Sequence, residues 1–534
     1  MKNRRPQHTV YQHKFPGSER PLPYAGSSVL LKADAVPGGP GGFRRKNRNN
    51  PGKKPSARIL SKQRKFVPSV IRLQVGGGHS DGLCQPAGPG TVQRRIRHLS
   101  ACSRIQRHST AVFRKTQHLL GILPGPGYQM RQKQCFSLTV DPRDEKSFEL
   151  ARNLLDVLLD NSDSGYINVN MDEPFELGMG KSKEYADRHG KLSLYFDYMK
   201  KLHSYCLSRN RKMMMWGDEV LRAPEYVSRF PKDVILLDWI YEGDAHFEEH
   251  ARLMQSTGLQ FCLCPGTSSW GSLTGRSANM ACNIRDAASC AIRYGGLGII
   301  TTDWGDQGHW QYISASYPAF AHTGLYAWSG PGDEDSLISW YCNCFLYESP
   351  DESAYQAAWD LGNYYRLENA PLYNTTLAFA VMSSKYTFDS VEEFDQKMDR
   401  LLKLSANIAR SNKIPPRPQV ISIDYDVLFS YLEKVDGEIE HAQILCPEGD
   451  LIRQEMKNGL RMVRHGIRLY HALKELRNDS AVLGEEMKVL YDDLDDILKE
   501  HYRLWSARNR SGGFGRSTNH MNHLLEFYRR ASQL

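Results

Sequence analysis

Between residues 135 and 334 the chain alternates two hydrophobic textures. Short, mainly apolar runs fall at 166–171, 212–216, 234–239, 259–264 and 297–302, each of strand length. Between them lie longer stretches whose apolar residues recur every three or four positions. The first, 147–159, carries Phe148, Leu150, Leu154, Leu155 and Leu158, with Ser147 in the N-cap position. The second, 191–208, places Leu194, Tyr198, Met199, Leu202 and Tyr205 on one broad face. Helices are also predicted at 247–257, stopped by Gly258, and at 283–294 and 314–328. Strands with apolar residues at successive positions need cover on both faces, so this alternation predicts parallel βαβ units. No glycine-rich phosphate turn follows the first strand, which argues against a dinucleotide-binding sheet. Beyond residue 335 the periodicity is helical, clearest at 391–409, 449–476 and 483–504.

The predicted fold class is therefore α/β. A (β/α)8 TIM-barrel-type catalytic domain over 135–334 shows five of its eight strands and so reads as incomplete. A mainly α-helical C-terminal region follows over 335–534. Those helices pack on each other and on the barrel, or they serve a partner; the sequence leaves the oligomeric state open.

Charge separates a third segment from these two. Residues 1–134 hold 26 Lys and Arg against 3 Asp and Glu, whereas the remaining 400 residues hold 43 against 57. Three readings of 1–134 stand. It is a basic arm for nucleic acid or anionic membrane, a folded domain, or an out-of-frame translation of barrel sequence. Aromatic residues do not interleave with the basic ones, and neither helical nor strand periodicity is sustained. The scarcity of acids beside abundant Arg, Gln, Pro, Gly and His fits the third best. The expected partners accordingly include no nucleic acid and no membrane.

The 11 cysteines are odd in number and scattered, which predicts free thiols and a cytoplasmic setting. Cys262 and Cys264, two apart, fit alternating strand positions better than a zinc ribbon. No apolar run approaches membrane-spanning length, and the N-terminus carries no hydrophobic signal core.

Chemistry concentrates just past the strand ends. The run 165–171 stops at Asp172 and Glu173, followed by Pro174, which removes a backbone donor and turns Glu173 away from helical dihedrals. Two carboxylates at the C-terminal end of a buried strand are costly unless water, ligand or catalysis uses them. Later strand ends bear Trp216 with Asp218, Trp239 with Tyr241, Trp270, and Trp304 with Asp306, His309 and Trp310. Indole faces stack on the apolar face of a pyranose while carboxylates accept its hydroxyl protons, so the set predicts a sugar site.

These residues resemble the family 20 glycoside hydrolases, the β-N-acetylhexosaminidases. The resemblance rests on Asp172-Glu173, on Trp216-Gly217-Asp218 and on the run from Trp304-Gly305-Asp306 to His309-Trp310-Gln311. Cys264 to Trp270, Gly275-Arg276 and Arg508 to Gly513 add to it. It implies that strands four to eight are the visible ones, with Asp172-Glu173 after the fourth. It also implies a terminal β-linked N-acetylhexosamine (GlcNAc or GalNAc) of an oligosaccharide or glycoconjugate as substrate, cleaved by substrate-assisted retaining catalysis. Glu173 would then be general acid and base, and Asp172 would stay ionised and orient the acetamido group. Trp216, Trp239 and Trp304 would wall the sugar, Asp306 would bind ring hydroxyls, and His309 would bond a hydroxyl or orient Asp306. Asp218, Trp270 and Trp310 are further substrate-binding candidates, and Tyr241 is the candidate for the acetamide oxygen. No cofactor and no metal are implied. The alternatives are an inactive or carbohydrate-binding relative of the same fold, and a nucleic-acid or membrane-associated protein working through 1–134. Without strands one to three the chain is expected to fold poorly or be inactive.

Overall fold

The computed structural model describes residues 139–532, apart from 333–336, 384–387, 415, 416, 418 and 419, together with the backbone of Val29–Lys32. The readings of 1–134 therefore fall outside the described residues, save for that one strand.

Six strands form one sheet: β1 (Val29–Lys32), β2 (Tyr166–Asn168), β3 (Lys212–Trp216), β4 (Ile235–Trp239), β5 (Gln260–Cys264) and β6 (Gly298–Thr301). Their order is β1-β6-β5-β4-β3-β2. β2 to β6 run parallel with consecutive neighbours, as in half of a barrel. β1 pairs antiparallel with β6, Val29 opposite Thr301. The sheet is open, and the barrel expected from the sequence does not close among the described residues. The strand from the basic segment is an antiparallel edge rather than a parallel barrel strand.

Period-two alternation divides the sheet residues between two apolar layers. Met214, Trp216, Ile235, Leu237, Cys262, Cys264 and Ile300 form a buried cluster on the concave face, with Trp239 and Trp304 packed against it. Met213, Met215, Leu236, Phe261, Leu263 and Ile299 join the larger core beneath the helices. Those helices are α1 (Glu145–Asp160), α2 (Lys191–Ser208), α3 (Glu248–Ser256), α4 (Ser277–Tyr294) and α5 (Tyr317–Ser329). The N-cap of α1 is Asp144, whose side chain accepts from the Lys146 N–H, and not Ser147, which lies inside the helix. A carboxylate reaches further toward the free N–H groups of the first turn and favours its positive end. Among the described residues Asp238 is the one acid buried within a strand, and it is met by His250 of α3 at 3.1 Å.

The C-terminal half adds α6 (Ser353–Leu361), α7 (Leu377–Met382), α8 (Val391–Ser411), α9 (Tyr425–His441), α10 (Gly449–His471), α11 (Ser480–Arg508) and α12 (Asn519–Ala531). α10 lies at the centre, packed against α7, α9 and α11. Gly466 makes the approach of α7 feasible, since a Cβ there would stand 2.5 Å from the Ala378 carbonyl oxygen. Fully buried His465 of α10 bonds Asp493 of α11 and Tyr528 of α12, each at 2.8 Å, so one imidazole satisfies three helices. One hydrophobic cluster runs without interruption from Leu155 to Tyr528, so barrel strands and C-terminal helices share a core.

Candidate active site

β2 ends at Asn168, three residues before the apolar run stops. The Asn168 side chain accepts from the Asn170 N–H at 2.9 Å, a local turn past which the chain still bonds β3, the Val169 N–H donating to the Met214 carbonyl at 2.9 Å. Asn170, Met171 and Glu173 then adopt positive φ of 65°, 72° and 47°. Asn tolerates this region, whereas Met and Glu each pay on the order of 1 kcal/mol for it. The surroundings enforce the path. The Trp216 N–H donates to the Asn170 carbonyl at 2.9 Å, and the Trp216 indole N–H reaches the Asn170 side-chain oxygen at 3.3 Å. Tyr195 of α2 donates to the Met171 carbonyl at 2.9 Å. The Glu173 N–H donates to Asp218 Oδ2 at 3.2 Å, tying the Asp-Glu corner to the end of the next strand.

Three carboxylates thus share one corner. Asp172 stays accessible to solvent, yet the protein around its carboxyl group pushes its pKa up to about 6, desolvation first and Asp218 and Glu173 adding to it. Burial likewise raises Asp218, with the Glu173 N–H opposing. Asp218 Oδ1 is buried and has no hydrogen-bond partner, an acceptor free for a ligand hydroxyl. An acid whose folded pKa lies above its ordinary 3.8 favours folding when protonated and opposes it when ionised. Asp172→Asn is therefore expected to stabilise the fold at pH 7.5 by about 1 kcal/mol or less given solvent screening, read as a raised melting temperature. The gain should shrink as pH falls through 6 toward 4.5, where the wild-type carboxyl protonates; equal gains at both pH values in thermal melts would contradict it.

Beside this corner runs a chain of aromatic rings. Trp216 and Trp304 lie 6.3 Å apart between centroids, Trp239 stacks on Tyr241 at 5.2 Å, and Trp270 meets Tyr241 edge-on at 5.0 Å. The Trp304 indole N–H donates to the Tyr241 hydroxyl at 2.9 Å. Burial raises the Tyr241 pKa far above its ordinary value, so the phenol keeps its proton as a donor. Trp239, Tyr241 and Trp304 are part-exposed, while Trp216 and Trp270 are only 2% and 1% exposed and act as backing for the other rings.

The segment after β6 divides in two. Asp306 is exposed on a 3-10 turn, Asp306–Gly308. Gly308 has φ +111°, and a Cβ there would meet the Ser517 carbonyl oxygen at 2.6 Å, so the loop needs glycine to touch the C-terminal part. His309 and Gln311 line a cavity against α11. Trp310 is fully buried, its ring tilted against Phe379 of α7 at 5.3 Å, with its indole N–H donating to the Ser517 carbonyl at 2.8 Å. The structure thus brings Asp172, Glu173, Trp216, Asp218, Trp239, Tyr241, Trp270 and Trp304 together and turns His309 and Trp310 toward the helices. Trp310→Phe is expected to cost about 1–3 kcal/mol in urea melts, because the part-buried Ser517 carbonyl loses its donor. Trp304→Phe, at a part-exposed ring, should change stability little.

Asp303 was not singled out by its sequence position. Its Oδ1 accepts from the hydroxyls of Thr267, Ser269 and Ser316 at 2.7, 2.8 and 2.9 Å, locking the ends of β5 and β6 together beside Trp304. The signal was a run of hydroxyls at 267–269 after one strand and an acid after the next. Among the described residues no group of three His, Cys, Asp or Glu is placed to hold a metal ion, and no helix is long and apolar enough to cross a membrane.

Compared with protein-family models and with curated proteins, the chain matches none. Among solved structures it is similar to a chitobiase from Flavobacterium johnsoniae, at 13% identity and a TM-score of 0.34, over 74% of this chain and 61% of that one. It is also similar to a GH138 enzyme targeting pectin rhamnogalacturonan II, at 12% identity and a TM-score of 0.31, over 74% of this chain and 65% of that one. The chain spans less than two thirds of the length of either structure.

Proposed function

We propose that the chain is a glycoside hydrolase-type protein acting on terminal β-linked N-acetylhexosamine, with Glu173 as general acid and then base. The observation that carries the reading is the strained corner, in which Glu173 is held to Asp218 beside ionisable Asp172 and next to the Trp216–Trp304–Tyr241 rings. Strain of this kind is retained where the geometry is used. In a substrate-assisted reaction the 2-acetamido oxygen attacks the anomeric carbon and forms an oxazolinium ion, so a single proton donor suffices. Glu173 supplies that proton to the leaving oxygen and recovers it from the water that opens the ring. Asp172, ionised above pH 6, orients the acetamido N–H and offsets the positive charge that develops there. Tyr241, protonated at every working pH, donates to the acetamide oxygen.

The test is release of nitrophenol from nitrophenyl β-N-acetylglucosaminide by the full chain across pH. The expected kcat/KM falls on the acid side with an apparent pKa of about 6, as Asp172 takes up its proton. A profile flat down to pH 4.5 would remove ionised Asp172 from the reaction. A second reading, a carbohydrate-binding relative without turnover, is favoured by one observation. Among the described residues no strand pairs with the outer edge of β2, so the corner lacks a wall on that side. N-acetylglucosamine binding without nitrophenol release selects it.

A further inference from the structure

The loop 308–313 and α11 enclose a cavity of about 120 Å³ that lies apart from the Asp172–Glu173 corner, lined by His309, Gln311, Tyr312, Trp505, Arg508 and Asn509 among others. That is several times the space one water needs. Its polar groups are incompletely used. Gln311 donates to the Trp304 carbonyl at 2.7 Å, but its own Oε1 is buried and unpartnered. Asn458 donates to the Tyr312 hydroxyl at 2.9 Å, and that hydroxyl is paired with His501 Nδ1 at 2.8 Å. The other ring nitrogen of His501, Nε2, is buried without a hydrogen-bond partner among the described residues. His501 lies on the same face of α11 as Leu504, Trp505 and Arg508, which line the cavity.

The lining also indicates the charge of an occupant. Arg508 is the cationic guanidinium here, and it is spent on Glu455 and Glu448. Burial, with His309 adding to it, lowers the His501 pKa to about 4, so that imidazole is neutral. Two carboxylates stand behind the wall, which disfavours an anion. A pure hydrocarbon would leave the Gln311 acceptor unsatisfied, at about 1–3 kcal/mol. Trp505, half-buried and braced edge-on by Phe514 at 5.4 Å, offers an aromatic face. We propose that this cavity is a second binding site, which takes one neutral polyhydroxylated ring of monosaccharide size.

Calorimetric titration of the full chain with N-acetylglucosamine tests it, using wild type, Trp505→Ala, Trp505→Phe and Trp304→Ala. Gln311 is left intact because it also holds Trp304. Wild type is expected to bind two equivalents. Trp505→Ala should weaken one of them at least tenfold, Trp505→Phe should retain both, and Trp304→Ala should remove only the other. A single event kept in Trp505→Ala and lost in Trp304→Ala overturns the proposal, as does no binding, which would mean a cavity holding water only. A single event lost in Trp505→Ala and kept in Trp304→Ala upholds the cavity and removes the sugar from the Asp172–Glu173 corner. If Trp505→Ala does not melt cooperatively, Asn509→Trp, which fills the cavity from its rim, is read by the same criteria.

Discussion

Glu173→Gln is expected to lower kcat on nitrophenyl β-N-acetylglucosaminide by about 10²–10⁴-fold while KM changes by less than about threefold. The amide has nearly the shape of the acid and keeps the backbone N–H that reaches Asp218 Oδ2 at 3.2 Å, so the corner retains its path. What disappears is the proton delivered to the leaving oxygen, an interaction made in the transition state and not in the ground state. Asp172→Asn separates the two carboxylates. It should also reduce kcat, but it should spare substrates with a very good leaving group less than Glu173→Gln does, because charge on the oxazolinium ion develops whatever the leaving group. If both variants respond identically to leaving-group pKa, Glu173 is not the proton donor. If Glu173→Gln keeps full turnover, the assignment of this corner as catalytic is sunk. Binding of N-acetylglucosamine to Glu173→Gln, measured separately, distinguishes lost chemistry from lost folding.

How much of this could be read beforehand follows from what each signal depends on. The five parallel strands were legible because a strand buried on both faces has to be apolar throughout, and Lys212–Trp216 emerged with the boundaries its composition suggests. The end of β2 was not. The apolar run continues through Val169 and Met171, but regular pairing stops at Asn168, whose side chain holds the turn at Asn170, and side-chain competition with the backbone leaves no mark on hydrophobicity. The Asp172–Glu173 corner was legible as chemistry because adjacent acids at a strand end are costly to bury. Its strain was not, since Met171 and Glu173 are unusual residues for positive φ. Tryptophan was the weakest guide. Trp304 and Trp310 are six residues apart in one motif, yet one joins the aromatic chain and the other stands in the core against Phe379. Which way a loop tryptophan turns is decided by the partner across the fold, here α7 and Ser517, far away in sequence. The antiparallel pairing of β1 had no precedent in the pattern, because a four-residue strand in a basic segment carries no periodicity to read.

Arg276→Met is expected to destabilise the fold by about 3–5 kcal/mol, read as a lowered urea midpoint at unchanged slope. Arg276 and Glu242 are both buried, and one guanidinium nitrogen lies 2.9 and 3.0 Å from the two carboxylate oxygens. Removing the arginine strands a carboxylate in the interior with the Asn374 N–H as its close partner and Arg417 3.7 Å away. Arg417 offsets part of the loss and so favours the lower end of that range. The pair itself is not optimal, because Arg276 Nε and Nη2 are buried without partners. The double variant Arg276→Met/Glu242→Leu should therefore recover much of the stability, since no isolated charge remains. Function should not recover with it. Glu242 follows Tyr241 directly, and the Tyr241 carbonyl is held by Asn279 at 2.7 Å from the helix that Arg276 precedes. The polar belt that sets the Tyr241 ring between Trp239, Trp270 and Trp304 thus runs through this ion pair. Stability restored together with full sugar affinity in the double variant would show that the pair serves the core alone. Stability restored with KM raised severalfold would assign it to the site, the buried charge being retained for the position it imposes on Tyr241.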